Sequence, residues 1–222
     1  IGGDRMALFS FIHSLNTNFG TTVFEPVAKA LATSSFLEVS SQQIAGTHIS
    51  SEAKKVVDKI IYELENATNE LPNKLNEIEE IRKVCQSGEL EPSKFTKVDL
   101  KLIDTDGTIY LFDIKTPKAN KGGYAEFKRT LLKWAASVLA DNPTAKIYTG
   151  IALPYNPYHP KPYKRWTMRG MIDLPNELKV AEEFWDFLGG EGAYNDLLDI
   201  FERVGIELRA EIDEYFSKFN LK

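Results

Sequence analysis

At 222 residues, 43% hydrophobic and 27% charged, the chain has room for one globular domain with a substantial core. A single cysteine, Cys85, excludes an internal disulfide framework and a four-cysteine zinc site, and fits the reducing conditions of the cytoplasm. The net charge of −5 argues against blanket affinity for nucleic acid while leaving room for a local basic cleft, and no apolar run is long enough to span a membrane.

The chain opens at Ile1-Gly2-Gly3, with neither a methionine nor a visible signal peptide, as expected where the natural start is missing or replaced. The first third reads helical. Apolar residues recur at helical spacing from Ala7 to Ala32, interrupted near Asn16-Thr17-Asn18 and Gly20, with Pro26 suited to the first turn of a second helix. Ser50 or Ser51 can cap a helix to about Asn66 whose inner face is Ala53, Val56, Val57, Ile60, Ile61 and Leu64. Another helix follows Pro72, with Leu75, Ile78, Ile81 and Val84 spaced by three and an end near Gly88. A hairpin comes next. Gly122-Gly123 then leads into an amphipathic helix from about Tyr124 to Ala140, stopped by Asp141-Asn142-Pro143. On it Lys128, Leu131, Leu132 and Ala135 cannot all face one core, so its lysines belong in part to an ordinary polar face. Lys146 to Leu153 is a buried strand, and from Asn176 the chain is helical in pieces separated by Gly189-Gly190 and Gly205. The order predicts an α/β fold, a small mixed β-sheet flanked by helices.

The hairpin carries the chemistry. Lys97 to Ile103 and Thr108 to Lys115 flank a turn at Asp104-Thr105-Asp106-Gly107. Alternation puts Val98, Leu100, Leu102, Tyr110, Phe112 and Ile114 on one apolar face and Asp99, Lys101, Ile103, Ile109, Leu111, Asp113 and Lys115 on the other. If the loop is Thr105 to Gly107, with Gly107 in a left-handed bulge, Asp104 pairs with Thr108 and Asp99 lies opposite Asp113. A four-residue loop would offset the two acids by one. Carboxylates directly opposed, with Cβ atoms roughly 4.5–5.5 Å apart, repel unless a cation lies between them. Asp99, Asp113 and the carbonyl of Ile114 would make an all-oxygen site suited to Mg²⁺. Lys115, on the same face, could orient or deprotonate a water attacking phosphorus. The plain alternative is a solvated hairpin edge whose Asp and Lys side chains pair weakly.

Asp99…Asp113-Ile114-Lys115, on strand-turn-strand with a helix following, resembles the PD-(D/E)xK nuclease signature, although Val98 stands where a proline often precedes the first acid. With Lys97–Lys118, the strings Tyr163-Lys164-Arg165-Trp166-Thr167-Met168-Arg169-Gly170-Met171 and Glu182-Glu183-Phe184-Trp185-Asp186-Phe187-Leu188-Gly189-Gly190 resemble the TdeIII-type family of type II restriction endonucleases. The resemblance spans most of the chain. It implies a restriction-endonuclease-like core with added N- and C-terminal helices, and Mg²⁺-dependent cleavage of duplex DNA at a short symmetric site, GGNCC in that family, leaving 5′-phosphates. It also implies a homodimer, since a symmetric site calls for two active sites about a two-fold axis. Relatives often add an acid from the helix before the hairpin. Glu52 and Glu63 are the candidates, and Glu52 is preferred because Val56, one turn on, faces inward; its ordinary role would be to favour the helix dipole. The whole chain is expected to be one nuclease domain: a helical part (1–90), the hairpin–helix–strand core (95–153), a basic loop (154–175) and C-terminal helices (176–222).

That loop, Pro154 to Ile172, carries Lys161, Lys164, Arg165 and Arg169 with no acid until Asp173, and is where a phosphate backbone would be drawn. Arg165 or Arg169 could read guanine in the major groove. Lys118 and Lys121, beside the hairpin, could hold the scissile strand, with Gly122-Gly123 allowing close approach. His13, His48 and His159 are scattered and make a zinc site improbable. The rival readings are a non-catalytic DNA- or protein-binding module and a repair-type or nonspecific nuclease of the same superfamily.

Overall fold

A computed structural model describes residues 19–66, 71–94, 97–115, 121–163 and 168–217. After a π-helical turn at Gly20–Phe24 the elements are α1 (Glu25–Ala32), β1 (Glu38–Ser40), β2 (Gln43–Ile44), β3 (His48–Ser50), α2 (Ser51–Asn66), α3 (Lys74–Val84), β4 (Leu90–Pro92) and β5 (Lys97–Val98). There follow β6 (Leu100–Ile103), β7 (Ile109–Ile114), α4 (Lys121–Asp141), β8 (Ile147–Leu153), α5 (Leu174–Glu177), β9 (Leu178–Val180), α6 (Glu182–Gly189), α7 (Ala193–Glu207) and α8 (Arg209–Ser217).

The central sheet has the order β1-β6-β7-β8-β9 and is mixed. β1/β6 and β6/β7 are antiparallel, β7/β8 and β8/β9 parallel. Two short ladders, β2/β5 and β3/β4, stand beside it. The parallel pair β7/β8 needs a crossover, which α4 supplies. Both strands are buried toward their C-terminal ends, as parallel strands covered on both faces must be.

One face packs Leu100, Leu102, Phe112 and Ala152 against Ala28 and Ala32 of α1, Phe184, Trp185 and Leu188 of α6, and Leu197 of α7. The other packs Leu111, Ile151 and Leu153 against Leu131 and Trp134 of α4. α2 and α3 then cover the outside of α4, where Ile61 and Ile81 meet Leu132, Ala135 and Leu139. With core on two sides, α4 buries Lys128, Leu131, Leu132 and Ala135 together, and only Arg129, Thr130 and Lys133 of this stretch stay half-exposed. This corrects the expectation that these four cannot all face inward. The amphipathic rule assumes one covered side, and α4 has two.

Local signals otherwise explain most boundaries. The Ser50 hydroxyl accepts the Ala53 N–H at 3.1 Å and so caps α2, with Ala53, Val57, Ile60 and Ile61 buried as expected. Asn73 caps α3 by accepting the Asn76 N–H at 3.0 Å. Ile78 and Ile81 are buried there, but Leu75 is exposed. Gly205 lies inside α7 and does not break it; the chain bends at Leu208 instead. The segment after Asn176 is not wholly helical, because Leu178–Val180 adds a parallel edge strand to β8.

Candidate active site

The hairpin turn has the three-residue geometry. Gly107 has φ +82° and donates its N–H to the Asp104 carbonyl at 2.9 Å, and Asp104 N–H reaches the Thr108 carbonyl at 3.0 Å. The register from Ile103↔Ile109 to Leu100↔Phe112 then places Asp99 opposite Asp113. The chain bends at Asp99, and alternation fails there. Val98, expected on the face of Leu100, packs in the opposite cluster with Leu111, because β5 has left the central sheet to pair with β2. The bend turns the Asp99 carboxylate toward the end of β7, where its Oδ2 accepts the backbone N–H of Ile114 at 2.8 Å.

Asp113, on the last turn of the pleat, is 6% exposed, and its Oδ1 lies 2.5 Å from Lys115 Nζ. Its carboxyl is pushed up to about 6, chiefly by burial; Lys115 pulls it down, while the charge of Asp99 and a hydrogen bond between the two carboxyls push it up. The two acids therefore face each other, as the register requires. The ammonium of Lys115 lies 5.5 Å from the ring centroid of Phe127 on α4, a cation–π contact that limits its reach.

The structure adds a carboxylate from a distant part of the chain. Glu25, first residue of α1 and 7% exposed, has its Oε2 2.7 Å from Gln42 Nε2, and the same amide nitrogen lies 3.2 Å from Asp99 Oδ1. Burial raises the Glu25 carboxyl above its ordinary value; Gln42 opposes this, Asp99 adds to it and Lys115 opposes it, so one electrostatic neighbourhood holds all four. Glu52, the expected third acid, is 42% exposed at the start of α2 and pairs with Lys55 at 2.7 Å. Among the described residues no hydrogen bond or ion pair joins it to the hairpin acids. The signal at Glu25 is weak: an acid just before Pro26 is an ordinary helix start, and only tertiary packing brings it to Asp99.

Glu25, Asp99 and Asp113 with Lys115 give an oxygen-rich set carrying more negative than positive charge, which suits a hard divalent cation. Among the described residues no three His, Cys, Asp or Glu side chains stand as a preassembled metal cluster. A hard divalent cation held there would need water or other oxygens to complete its coordination.

The expected DNA contacts divide. Lys118, Lys164 and Arg165 lie outside the described residues, and only the backbone of Lys121 is described, as the first residue of α4. Lys161 and Arg169 are exposed. Arg169 sits in a turn whose neighbours Met168, Met171 and Ile172 are buried against α4, so the core anchors the base of the basic loop. A cleft of about 870 Å³ behind this loop is lined by His159, Tyr163, Leu178 and Glu183, among others, and by none of the hairpin acids. The hairpin acids stand at the end of β7, outside that cleft. Among the described residues no helix is long and apolar enough to cross a membrane.

Residues 1–205 match the family described as "Type II restriction endonuclease, HinfI". The type II restriction enzyme HgiCII of Herpetosiphon aurantiacus is 27% identical over 93% of this chain and 76% of its own length, and HgiEI of the same organism is 26% identical over 94% and 76%. MjaII of Methanocaldococcus jannaschii, also a type II restriction enzyme, is 26% identical over 97% of this chain and 59% of its own. A repair endonuclease from Pyrococcus abyssi is 19% identical over 46% of this chain and 32% of its own with a TM-score of 0.21, too slight a likeness to carry weight. The chain belongs to the HinfI family of type II restriction endonucleases, and is a site-specific deoxyribonuclease.

Proposed function

We propose that the protein cuts both strands of duplex DNA in the presence of Mg²⁺, at a short symmetric site of the GGNCC kind, leaving 5′-phosphates and working as a cytoplasmic homodimer. The observation that carries the reading is the convergence of Asp99 and Asp113 beside Lys115 at the end of β7. Asp99 and Asp113, with Glu25 in place of Glu52 as the third acid and with the Ile114 carbonyl, would hold the cation. When bound, Mg²⁺ polarises a phosphoryl oxygen and lowers the pKa of a water. Lys115 orients the attacking water and offsets charge gathering on the phosphate, its ammonium kept near Asp113 by the ion pair and by Phe127. Lys118, Lys121, Lys161 and Lys164 would neutralise phosphates, and Arg165 or Arg169 would read guanine.

Supercoiled plasmid incubated with the protein and Mg²⁺ should give discrete fragments, and Asp113→Ala should give none while keeping its circular dichroism spectrum. Ladderless degradation would point to a nonspecific nuclease instead. Retarded but uncut DNA at every metal concentration would leave a binding module.

A further inference from the structure

At the point where Asp99 enters the site, two strands leave the central sheet together. β1 pairs with β6 as far as Ser40↔Lys101, and the two chains pair again only at Gln43↔Val98, in the separate β2/β5 ladder. Ser41 and Gln42 therefore lie across from Asp99 and Leu100, and both chains bend there. Gln42 makes its part of the bend with φ +57°, one of two non-glycine residues with positive φ among the described residues. Left-handed backbone costs an ordinary side chain about 1–2 kcal/mol, and glycine would make the bend without that strain.

The Gln42 side chain is exposed, so packing does not explain its presence. Its amide spans the gap between Glu25 Oε2 at 2.7 Å and Asp99 Oδ1 at 3.2 Å, carboxylates from elements 74 positions apart in sequence. Two like charges brought this close separate unless something donates to both. The amide has two N–H donors, one for each acid. Strained backbone that persists where it aims a polar group at a reactive cluster is a mark of function.

We propose that Gln42 is a positioning residue for hydrolysis: its amide holds the carboxylates of Asp99 and Glu25 together before the cation arrives. The inference rests on the reading that these acids receive a divalent cation. Gln42→Gly removes the amide and relieves the bend. The metal-free variant should melt at the same temperature as the wild type or higher. The Mg²⁺ concentration for half-maximal cleavage should rise about 10–100-fold, while the rate at saturating Mg²⁺ changes much less. Calorimetric titration of the DNA-free protein with Mn²⁺, which does not depend on cleavage, should show the same loss of affinity. Unchanged metal dependence overturns the proposal, and so does a fall in melting temperature, which would make Gln42 a prop of the fold. Asp113→Ala, assayed alongside, separates the two levels. An active Asp113→Ala would refute the hydrolytic reading itself, whereas an inactive one beside a Gln42→Gly of wild-type metal dependence would refute only the role of Gln42.

Discussion

Two groups of lysines and carboxylates flank α4, and they differ in balance. Around Lys128, wholly buried, Nζ lies 2.5 Å from Glu177 Oε2 and 2.5 Å from Glu77 Oε2, and Lys74 Nζ reaches Glu177 Oε1 at 2.8 Å. Two ammonium groups meet two carboxylates, all of them buried. The Glu77 oxygen lies against Lys128; burial raises the Glu77 carboxyl while the Lys128 charge lowers it. At the hairpin, among the described residues, three buried or half-buried carboxylates gather near one ammonium, that of the partly exposed Lys115. Burial opposes the Glu177 charge, but Lys74 and Lys128 together bring its carboxyl below the ordinary value; Glu77 beside Lys128 and Asp113 beside Lys115 both stay raised by burial. A cluster with equal numbers of each charge joins α3, α4 and α5. The unbalanced one, among the described residues, leaves negative charge without a partner ammonium.

The sharpest break of this comparison exchanges the two lysines. Lys128→Met leaves Glu77 and Glu177 buried with one cation between them and should lower stability by about 3–5 kcal/mol in chemical denaturation. Lys115→Met removes a partly exposed charge, should change stability by no more than about 1 kcal/mol, and should slow cleavage about 10³-fold. A Lys115 variant that unfolds, or a Lys128 variant as stable as the wild type, would erase the distinction between the clusters.

How far each cluster could be read in the sequence follows from how each is built. The hairpin is local: Gly107 fixes the turn, the turn fixes the register, and the register brings Asp99 to Asp113. The bend at Asp99 that sends Val98 to the opposite core was not legible, since it depends on β5 finding β2. The buried cluster joins Lys74, Lys128 and Glu177 from three helices, and Lys128 looks like a surface residue until α2 and α3 are laid over α4. Glu25 and Gln42 reach the site by the same long-range route. β1 to β5 and β9 are two or three residues long, too short for a period-two pattern to stand out.

The identity of the third acid gives a smaller effect and a cleaner contrast. Glu25→Gln keeps the volume and removes the charge beside Asp99, and should lower single-turnover cleavage about 10²-fold with the fold unchanged. Glu52→Gln, which breaks an exposed i,i+3 pair with Lys55, should leave that rate within a few-fold of the wild type. The reverse ranking would return the role to Glu52 and leave Glu25 as a helix-start residue.

The smallest effect is a test of charge imbalance without DNA or metal. A carboxyl whose folded pKa stands above its ordinary 3.8, as that of Asp113 does at about 6, binds its proton more tightly in the folded state. Its ionisation therefore weakens the fold, and stability from this group rises as pH falls from 7 through 6 toward 4. Glu177, held below its ordinary value, has the opposite sign: its contribution is present above the unfolded pKa and is lost as pH falls. In EDTA at pH 7, Asp113→Asn should be more stable than the wild type by roughly 1–3 kcal/mol, and the two denaturation curves should converge by about pH 4. A gap that does not change with pH would mean that Asp113 is not lifted, and the hairpin would be as balanced as the buried cluster. Mg²⁺ should reverse the order at pH 7, because a cation that binds only the folded wild type stabilises it and leaves the amide variant where it was.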